Sequence, residues 1–405
     1  MPLLLVVLLL ACVLGLTIMF PRPAVIIWIL TLETSPDSWL DRLLGLGEHE
    51  AIIGIMKAFG LVLAMLLILS HGLRRDRYNP AFAFAAMFLT GIIHGFYPGL
   101  TLLASVRSLI GSAGPLLFSF AKLPKPFIRM VVQATIWAPL GAVLFGALLA
   151  GLGLDHMYVV EQGALRLGAS GEPPFLAGFA LVGVYAGLLE YLAAPSAAVI
   201  ASLLVNLLII LLTGARAPLA MACLDLFALL ILQGRILLIA LAGATAAAAV
   251  VFSGWLSFIR VIDLTKLGEA SNLSNRDIVW PFFQKAFFAS PVFGWGVGAG
   301  KVIIPVTSEI DTLLGTNAAH NEYLRIGAEG GAFGLLLLIT LMLLWVRRGT
   351  ADLPSAQAWI MRLIFIGFAV HSATDNTMIA TTSSVFFLWV SCIFANAKNE
   401  LKPAA

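Results

Sequence analysis

The chain has 405 residues, of which 60% are hydrophobic and only 11% are charged, and its formal net charge is +3. Soluble domains carry far more charge than this, and the apolar residues come in runs long enough to cross a bilayer. The sequence contains no basic patch interleaved with aromatic residues, so nucleic acid is excluded as a partner. The three cysteines lie singly in apolar runs, which predicts neither a disulfide framework nor a zinc site.

Apolar runs of spanning length recur along the chain and predict an all-α fold, a polytopic membrane bundle of about twelve transmembrane helices. The runs lie at about 3–20, 52–70, 80–97, 100–120, 130–153, 175–193, 197–213, 218–234, 236–253, 331–346, 359–372 and 383–397. A shorter run from Ala24 to Leu32 cannot cross a bilayer alone and predicts a tilted or interfacial helix. The topology of residues 1–50 is therefore left open.

The orientation of the bundle follows from lysine and arginine, which short loops retain on the cytoplasmic side. They fall on alternate loops, at Arg74, Arg75 and Arg77, at Lys122, Lys125 and Arg129, at Arg235, at Arg347 and Arg348, and at Lys398 and Lys402. The other loops then face the periplasm of a bacterial cell, with the chain in the inner membrane and in contact with its lipids.

One of these outward loops is far longer than the rest, at roughly 75 residues, and loops of that length are usually functional. It divides the chain into an N-terminal helix bundle at 1–253, a periplasmic catalytic loop at 254–330 and C-terminal transmembrane helices at 331–405. These parts form one integrated membrane domain. Within the loop, residues 275–283 predict a short amphipathic helix, and residues 290–298 predict a glycine-rich turn.

His320 ends this loop, directly before an apolar helix. An imidazole ordinarily titrates near pH 6.5, about where a general base for a hydroxyl nucleophile must work. If a helix ran from residue 320, His320 would share one face with Tyr323, and Asn321 would share the neighbouring face with Arg325. The alternative is that His320 caps a helix or lies in the interface without any chemistry.

Two arginines on the outward side are candidates for binding an anion. Arg216 lies in a tight turn between two spans, and Arg276 lies in the long loop. A guanidinium holds two phosphate oxygens at once, in a setting where water competes weakly. The alternative is that each arginine only extends towards lipid head groups. Together with an imidazole, the two arginines indicate an anionic substrate.

Three further residues could line the same site. Arg107 lies about seven residues into a span, at a depth of about 10 Å, where a charge usually faces a polar cavity; the alternative is a structural pair with Asp225. His371 and Asp375 lie at the outward end of the penultimate span, where they could meet His320 or simply cap a helix. Glu309 and Asp311 have the acidic spacing of a divalent-cation site, but such doublets are common in solvated loops.

The motifs together resemble the O-antigen ligase and polymerase superfamily. The matching features are Thr213-Gly214-Ala215-Arg216, Arg276 followed by Trp280, the turn from Pro291 to Gly296, His320-Asn321 followed by Tyr323-Leu324, and the glycines at 330, 331 and 334. The resemblance covers the C-terminal half closely and the N-terminal half only by its spans. Ala217-Pro218 departs from the flexible residues that usually follow the arginine, which predicts a stiffer turn.

The resemblance implies that a glycan is transferred from an undecaprenyl diphosphate carrier to an acceptor hydroxyl, such as one on the lipid A core, without a metal or other cofactor. It implies that His320, Arg216 and Arg276 are catalytic. Asn321, Tyr323, Arg107, His371 and Asp375 are expected to contact the substrate. Two alternatives stay open: a polymerase that uses a second lipid-linked repeat as acceptor, and a transporter or flippase of lipid-linked sugars. The sequence does not indicate an oligomeric state.

Overall fold

The structure is a computed structural model that describes residues 15–44, 49–161, 164–235, 238, 276–305, 308 and 317–400. Its α-helices in chain order are α1 Pro21–Glu33, α2 Pro36–Leu44, α3 His49–His71, α4 Ala81–His94, α5 Leu102–Ala113, α6 Lys125–Gly151, α7 Pro173–Ala193, α8 Ala197–Thr213, α9 Arg216–Leu232, α10 Arg276–Ala289, α11 Glu322–Gly349, α12 Ser355–Ser372 and α13 Thr381–Glu400. Two 3-10 helices, Gly114–Phe120 and Ala299–Lys301, interrupt the loops.

The described β-structure is a two-stranded antiparallel hairpin, in which β1 Tyr158–Glu161 pairs with β2 Ala164–Leu167 and Tyr158 lies opposite Leu167. All the remaining regular structure in the described ranges is helical, which confirms the predicted all-α membrane fold.

Five described helices are long and apolar enough to cross a membrane, namely Ala51–His71, Leu102–Phe120, Lys125–Gly151, Pro173–Ala193 and Glu322–Gly349. Shorter apolar helices occupy Ala81–His94, Ala197–Thr213 and Thr381–Ala397. The predicted span at 236–253 and most of the one at 3–20 fall outside the described ranges, so the count of about twelve remains a prediction. The run at 24–32 forms the helix α1, as expected.

The most extensive helix contact in the core joins α7 and α8, and glycines of α7 make a close approach possible. A Cβ added at Gly183 would lie 2.8 Å from the Asn206 side chain, and one at Gly187 would lie 2.9 Å from Leu203. The Asn206 amide donates to the Ile136 carbonyl of α6 at 3.0 Å, so it joins helices by a hydrogen bond, as buried amides do in membranes.

The loops gather at two ends of the bundle, which we call the His320 end and the Arg75 end. At the Arg75 end, Leu73 bridges to Ala121, and the Trp345 indole of α11 donates to Asp76 at 2.7 Å. At the His320 end, residues 373–380 meet the start of α11, where the Met378 N–H donates to Glu322. The glycine-rich turn meets α11 at Ala328 and Glu329, and the β-hairpin meets the end of α8 at Thr213. The candidate site lies at this second end.

Helix α11 begins at Glu322, eight residues before the loop boundary predicted at residue 330. The reason is that Glu322, Arg325 and Glu329 satisfy one another's charges, so helix extends into a segment whose polarity predicted a loop. Gly331 interrupts α11 with φ 59° and ψ −165°, which divides the helix into a polar part and an apolar part.

Candidate active site

His320 lies just before α11 and has a left-handed backbone conformation, with φ +46°. Asn321 is the N-cap, and its side-chain oxygen accepts a hydrogen bond from the Leu324 N–H at 3.1 Å. The expectation that His320 shares a helical face with Tyr323 is therefore wrong, because the cap residue separates His320 from the first turn. A left-handed conformation is uncommon for a side chain other than glycine or asparagine, and it is typical of functional sites.

His320, Asp375 and His371 form a cluster in which the carboxylate lies between the two imidazoles. His320 Nδ1 lies 3.4 Å from Asp375 Oδ1, and His371 Nε2 lies 3.7 Å from Asp375 Oδ2. The side chains of His320 and Asp375 are 31% and 42% exposed, whereas that of His371 is 16% exposed. Asp375 thus meets His320 as expected, and His371 joins the cluster through Asp375. That these residues contact the substrate stays a prediction.

Asp375 remains ionised in this cluster. Burial acts to raise the pKa of its carboxyl, but the hydrogen bond with His320, the charge of His371 and the Asn376 N–H outweigh it, so the pKa falls below its ordinary value. Asp375 Oδ1 accepts that N–H at 2.8 Å. A carboxylate held at Nδ1 of His320 leaves Nε2 as the nitrogen that can accept a proton, the arrangement used to orient a basic imidazole.

Residues 373–380, which carry Asp375, and the end of α12 before them are each attached to α11 by one hydrogen bond. The Met378 N–H donates to Glu322 Oε1 at 2.7 Å, and the Tyr323 hydroxyl donates to the Ala369 carbonyl of α12 at 2.8 Å. His320 and Asp375 come from segments 55 residues apart, so these bonds fix the distance between them. Tyr323 thus has a positioning role beside any contact with substrate.

A buried ion-pair network lies directly below His320, and the sequence reasoning missed it. Arg325 Nε donates to Glu322 Oε2 at 2.6 Å, and Arg325 Nη1 donates to Glu329 Oε2 at 2.9 Å. Glu329 Oε1 accepts the Gly300 N–H at 3.3 Å, so the network also attaches the 3-10 helix Ala299–Lys301. The signal was present in the sequence, as an acid three residues before and another four residues after one arginine.

The glycine-rich turn inserts into the interruption of α11. The N–H groups of Trp295 and Gly296 donate to the carbonyls of Ala328 and Glu329 at 3.0 and 2.8 Å. In return, the N–H groups of Ala332 and Phe333 donate to Pro291 and Val292 at 2.8 and 3.0 Å. The turn therefore takes over hydrogen bonds that a continuous helix would form internally.

This insertion requires glycine on both sides of the contact. A Cβ on Gly331 would lie 2.3 Å from the Val292 carbonyl oxygen, and a Cβ on Gly294, at φ +67°, would lie 2.5 Å from the backbone of Glu329. The predicted glycine-rich turn is confirmed, with Gly294, Gly296 and Gly298 all at positive φ.

Arg276 begins α10, as the amphipathic pattern predicted, and the structure describes its backbone but not its side chain. One turn later, the Trp280 indole donates to the Ala319 carbonyl at 3.0 Å. Because Ala319 precedes His320, this bond fixes the start of α10 beside the His320 segment.

Arg216 begins α9 after a turn in which Gly214 has φ +67°. Buried Arg166 of the β-hairpin donates through Nε to the Thr213 carbonyl at 2.7 Å and fixes this turn. A Cβ on Gly367 of α12 would lie 2.9 Å from the Met221 sulfur, so α9 and α12 are in contact. From this contact, Arg216 lies five residues back along α9, a rise of about 7.5 Å. His371 lies four residues further along α12, a rise of about 6 Å. Both residues therefore lie at about the same level of the bundle.

Arg107 lies on α5 against Gly54 of α3, where an added Cβ would meet its guanidinium at 2.8 Å. The alternative pairing with Asp225 is wrong, since Asp225 Oδ1 is buried on α9 without a hydrogen-bond partner. Within the described ranges, no group of three or more His, Cys, Asp or Glu residues is suited to a metal ion. Glu309 and Asp311 lie outside those ranges.

Sequence comparison agrees with this geometry. The family model described as O-antigen ligase matches residues 201–339, a segment that begins in α8, includes Arg216, Arg276 and His320, and ends in α11. No curated relative matches the chain at a significant level. The resemblance seen in the motifs is thereby confirmed over these residues: residues 201–339 of this polytopic helical membrane protein match the O-antigen ligase family.

Proposed function

We propose that the chain is an inverting, metal-independent glycosyltransferase that moves a glycan from undecaprenyl diphosphate to an acceptor hydroxyl at the periplasmic face of the inner membrane. The observation that carries the proposal is the His320–Asp375–His371 cluster, whose His320 lies in the segment that matches the O-antigen ligase family. Its acceptor would be the lipid A core; a polymerase would run the same chemistry on a second lipid-linked repeat.

The proton step would belong to His320. Asp375 accepts from Nδ1, so Nε2 removes the proton from the acceptor hydroxyl as its oxygen attacks the anomeric carbon. The bond between that carbon and the diphosphate oxygen breaks in the same displacement, and its electron pair leaves with the diphosphate. A single displacement inverts the configuration of the anomeric carbon. Because a diphosphate is already a good leaving group, no strong acid is required.

The charge on the departing diphosphate would be neutralised by Arg216 and Arg276. Two guanidiniums aimed at developing negative charge stabilise the transition state more than the bound substrate. The turn that Arg166 fixes and the helix start that Trp280 fixes support this assignment, because both arginines begin helices attached to the site. Asn321 uses its oxygen as a cap, which leaves its amide nitrogen for a contact with substrate.

The test is transfer by the purified full-length chain in detergent, from undecaprenyl diphosphate glycan to lipid A core, with a chelator present. We expect an inverted product and no effect of chelator. A flippase only moves its substrate across a membrane and forms no new glycosidic bond. A chain that gives no transfer product in this assay would therefore favour the flippase alternative. If only a second lipid-linked repeat is accepted, the chain is a polymerase. If chelator stops transfer, Glu309 and Asp311 become candidate metal ligands.

The proposed orientation has its own test in intact spheroplasts. Cysteine substituted for Arg216 should react with a membrane-impermeant reagent, whereas cysteine substituted for Arg75 or Arg347 should react only after the inner membrane is opened. Labelling at Arg347→Cys in sealed spheroplasts would reverse the assignment of the two faces.

A further inference from the structure

Lys57 is a cation within a predicted membrane span that the proposed mechanism does not use. It lies on α3, where its ammonium donates to the Ile379 carbonyl in residues 373–380. Its side chain lies over Gly111 of α5, where an added Cβ would be 4.0 Å from Nζ. Ionisable groups inside spans are costly, and they are kept where they bind a ligand or another charge.

A second cation, Arg107, lies in the same contact between α3 and α5, but on the opposite helix. Lys57 of α3 covers a glycine of α5, and Arg107 of α5 covers Gly54 of α3. Gly54 is three residues before Lys57, and Arg107 is four residues before Gly111, so the two cations occupy neighbouring turns of two helices in contact. Paired glycines thus admit two cations into one helix interface, where like charges repel each other.

A third cation is brought to this place by the segment after the glycine-rich turn. Ser105 of α5 donates to the Val297 carbonyl at 2.6 Å, and a Cβ on Gly298 would lie 2.7 Å from the Ser108 hydroxyl. This segment leads directly to Lys301, whose side chain is exposed. The charges of Lys301, Arg325 and Arg107 all act on Lys57, against one carboxylate, Glu322.

The described carboxylates nearby do not form ion pairs with Lys57 or Lys301. Glu322 and Glu329 are both ion-paired with Arg325. In the part of the chain that the structure describes, no carboxylate lies within ion-pair distance of Lys57 or Lys301. The charges of Lys57 and Lys301 therefore favour an anion at a place bounded by α3, α5 and residues 373–380.

We propose that Lys57 and Lys301, with Arg107 beside them, bind a phosphate group of the acceptor glycolipid. This inference rests on the proposed function, in which Arg216 and Arg276 take the donor diphosphate. The acceptor is assigned to Lys57 and Lys301 because they lie in a different part of the bundle from Arg216. The helix α9, which Arg216 begins, packs on α7, α8 and α12, whereas α3, which carries Lys57, packs on α1, α2 and α5. Residues 373–380 lie between, with Asp375 at the catalytic cluster and Ile379 at Lys57.

The phosphate could belong to a phosphorylated lipid A core or to the diphosphate of a second lipid-linked repeat. Both are phosphate esters of a glycolipid, and both present the same oxygen atoms to an ammonium group. The two sources are separated by the acceptor supplied in the assay.

The test is steady-state transfer by the full-length chain with Lys57→Gln, Lys301→Gln and, as a control, Lys285→Gln on α10. Glutamine at position 57 keeps a donor for the Ile379 carbonyl while it removes the charge, and Lys301 is exposed, so neither change should prevent folding. We expect each of the first two variants to raise the acceptor KM about tenfold, the loss of one charge-assisted hydrogen bond. The donor KM should stay within about twofold in all three variants.

Each arm uses lipid A core before and after removal of its phosphates, and a second lipid-linked repeat. We expect Lys57→Gln and Lys301→Gln to raise the acceptor KM for acceptors that carry phosphate. With the dephosphorylated core, the acceptor KM of these variants should equal that of the wild type. An equal effect on both forms of the core, a raised donor KM, or an unchanged acceptor KM would each overturn the inference. If the wild-type chain transfers to none of these acceptors, it is the proposed function that fails.

Discussion

The two parts of α11 on either side of Gly331 differ in what they bury. Before the interruption, the helix buries Arg325, which is 4% exposed, between two carboxylates. After it, the helix leaves leucines uncovered, with Leu336 63% and Leu343 65% exposed, as expected where lipid covers the surface. Charge is enclosed by loops in one part, and apolar side chains face outward in the other.

The two parts of α11 also differ in how they contribute to stability. The apolar part is held by packing, with Trp345 lying 5.1 Å from Phe394 and 6.1 Å from Phe365, between ring centroids. The polar part buries an arginine with two acids, and breaking such a network costs about 3–5 kcal/mol, although the intact network adds little. A segment under selection for stability alone would not need these charges, so we attribute them to the site they support.

The largest effect should follow from changes in the two arginines that are proposed to contact the donor diphosphate. Arg216→Lys and Arg276→Lys keep the charge but lose the planar pair of donors, so transfer should fall by about a hundredfold or more in each variant. The measurement is the transfer rate per folded molecule, with Arg235→Lys as a control at the other end. Wild-type rates in both lysine variants would contradict the proposed diphosphate contacts.

A smaller loss should follow Asp375→Asn, because the amide can hold His320 in place but cannot stabilise its protonated form. We expect transfer to fall by about ten- to a hundredfold, with normal expression. The pKa of Asp375 is lowered in the folded chain, so its contribution to stability is present above about pH 4 and is lost as the pH falls through the lowered value. The melting difference between variant and wild type should therefore be present at pH 7 and shrink below about pH 4. A constant difference would be evidence against an ionised Asp375.

Gly331→Ala tests the boundary between the two parts. A methyl group there would collide with the Val292 carbonyl at a positive φ, so the glycine-rich turn should leave the helix and transfer should fall severalfold. Gly153→Ala is the matched control, because Gly153 also has a positive φ, +69°, but faces open space. It carries the backbone strain alone, about 1–2 kcal/mol. If both variants behave alike, strain and not the close contact explains the result.

The smallest effect on activity should come from a substitution on α13 that weakens packing against the apolar part of α11. Phe394→Leu removes aromatic contacts with Trp345 and should lower the free energy of unfolding by about 1 kcal/mol while transfer per folded molecule stays within about twofold. The measurements are thermal unfolding and the transfer rate, made on the same preparation. A large loss of transfer would mean that the two parts of α11 are coupled.

The sequence was sufficient for features set by local chemistry. Long apolar runs predicted the helices, and the position of His371 and Asp375 at the outward end of a span predicted the cluster that Asp375 forms with His320. It was insufficient where contacts join distant segments: Lys57 and Ile379 are 322 residues apart, and nothing near either residue marks the pairing. The insertion of the turn into α11 was also missed, because it exchanges backbone hydrogen bonds that no side chain encodes.

The central claim is that His320 removes the acceptor proton, and the rate of His320→Ala tests it most directly. The control is His156→Ala, an exposed histidine at the same end of the bundle. With transfer measured per folded molecule and donor binding measured separately, we predict a loss of about a hundred- to ten-thousand-fold for His320→Ala, unchanged donor binding, and a wild-type rate for the control. If His320→Ala retains more than about a tenth of the normal rate, which is a smaller loss than base catalysis predicts, His320 is not the base.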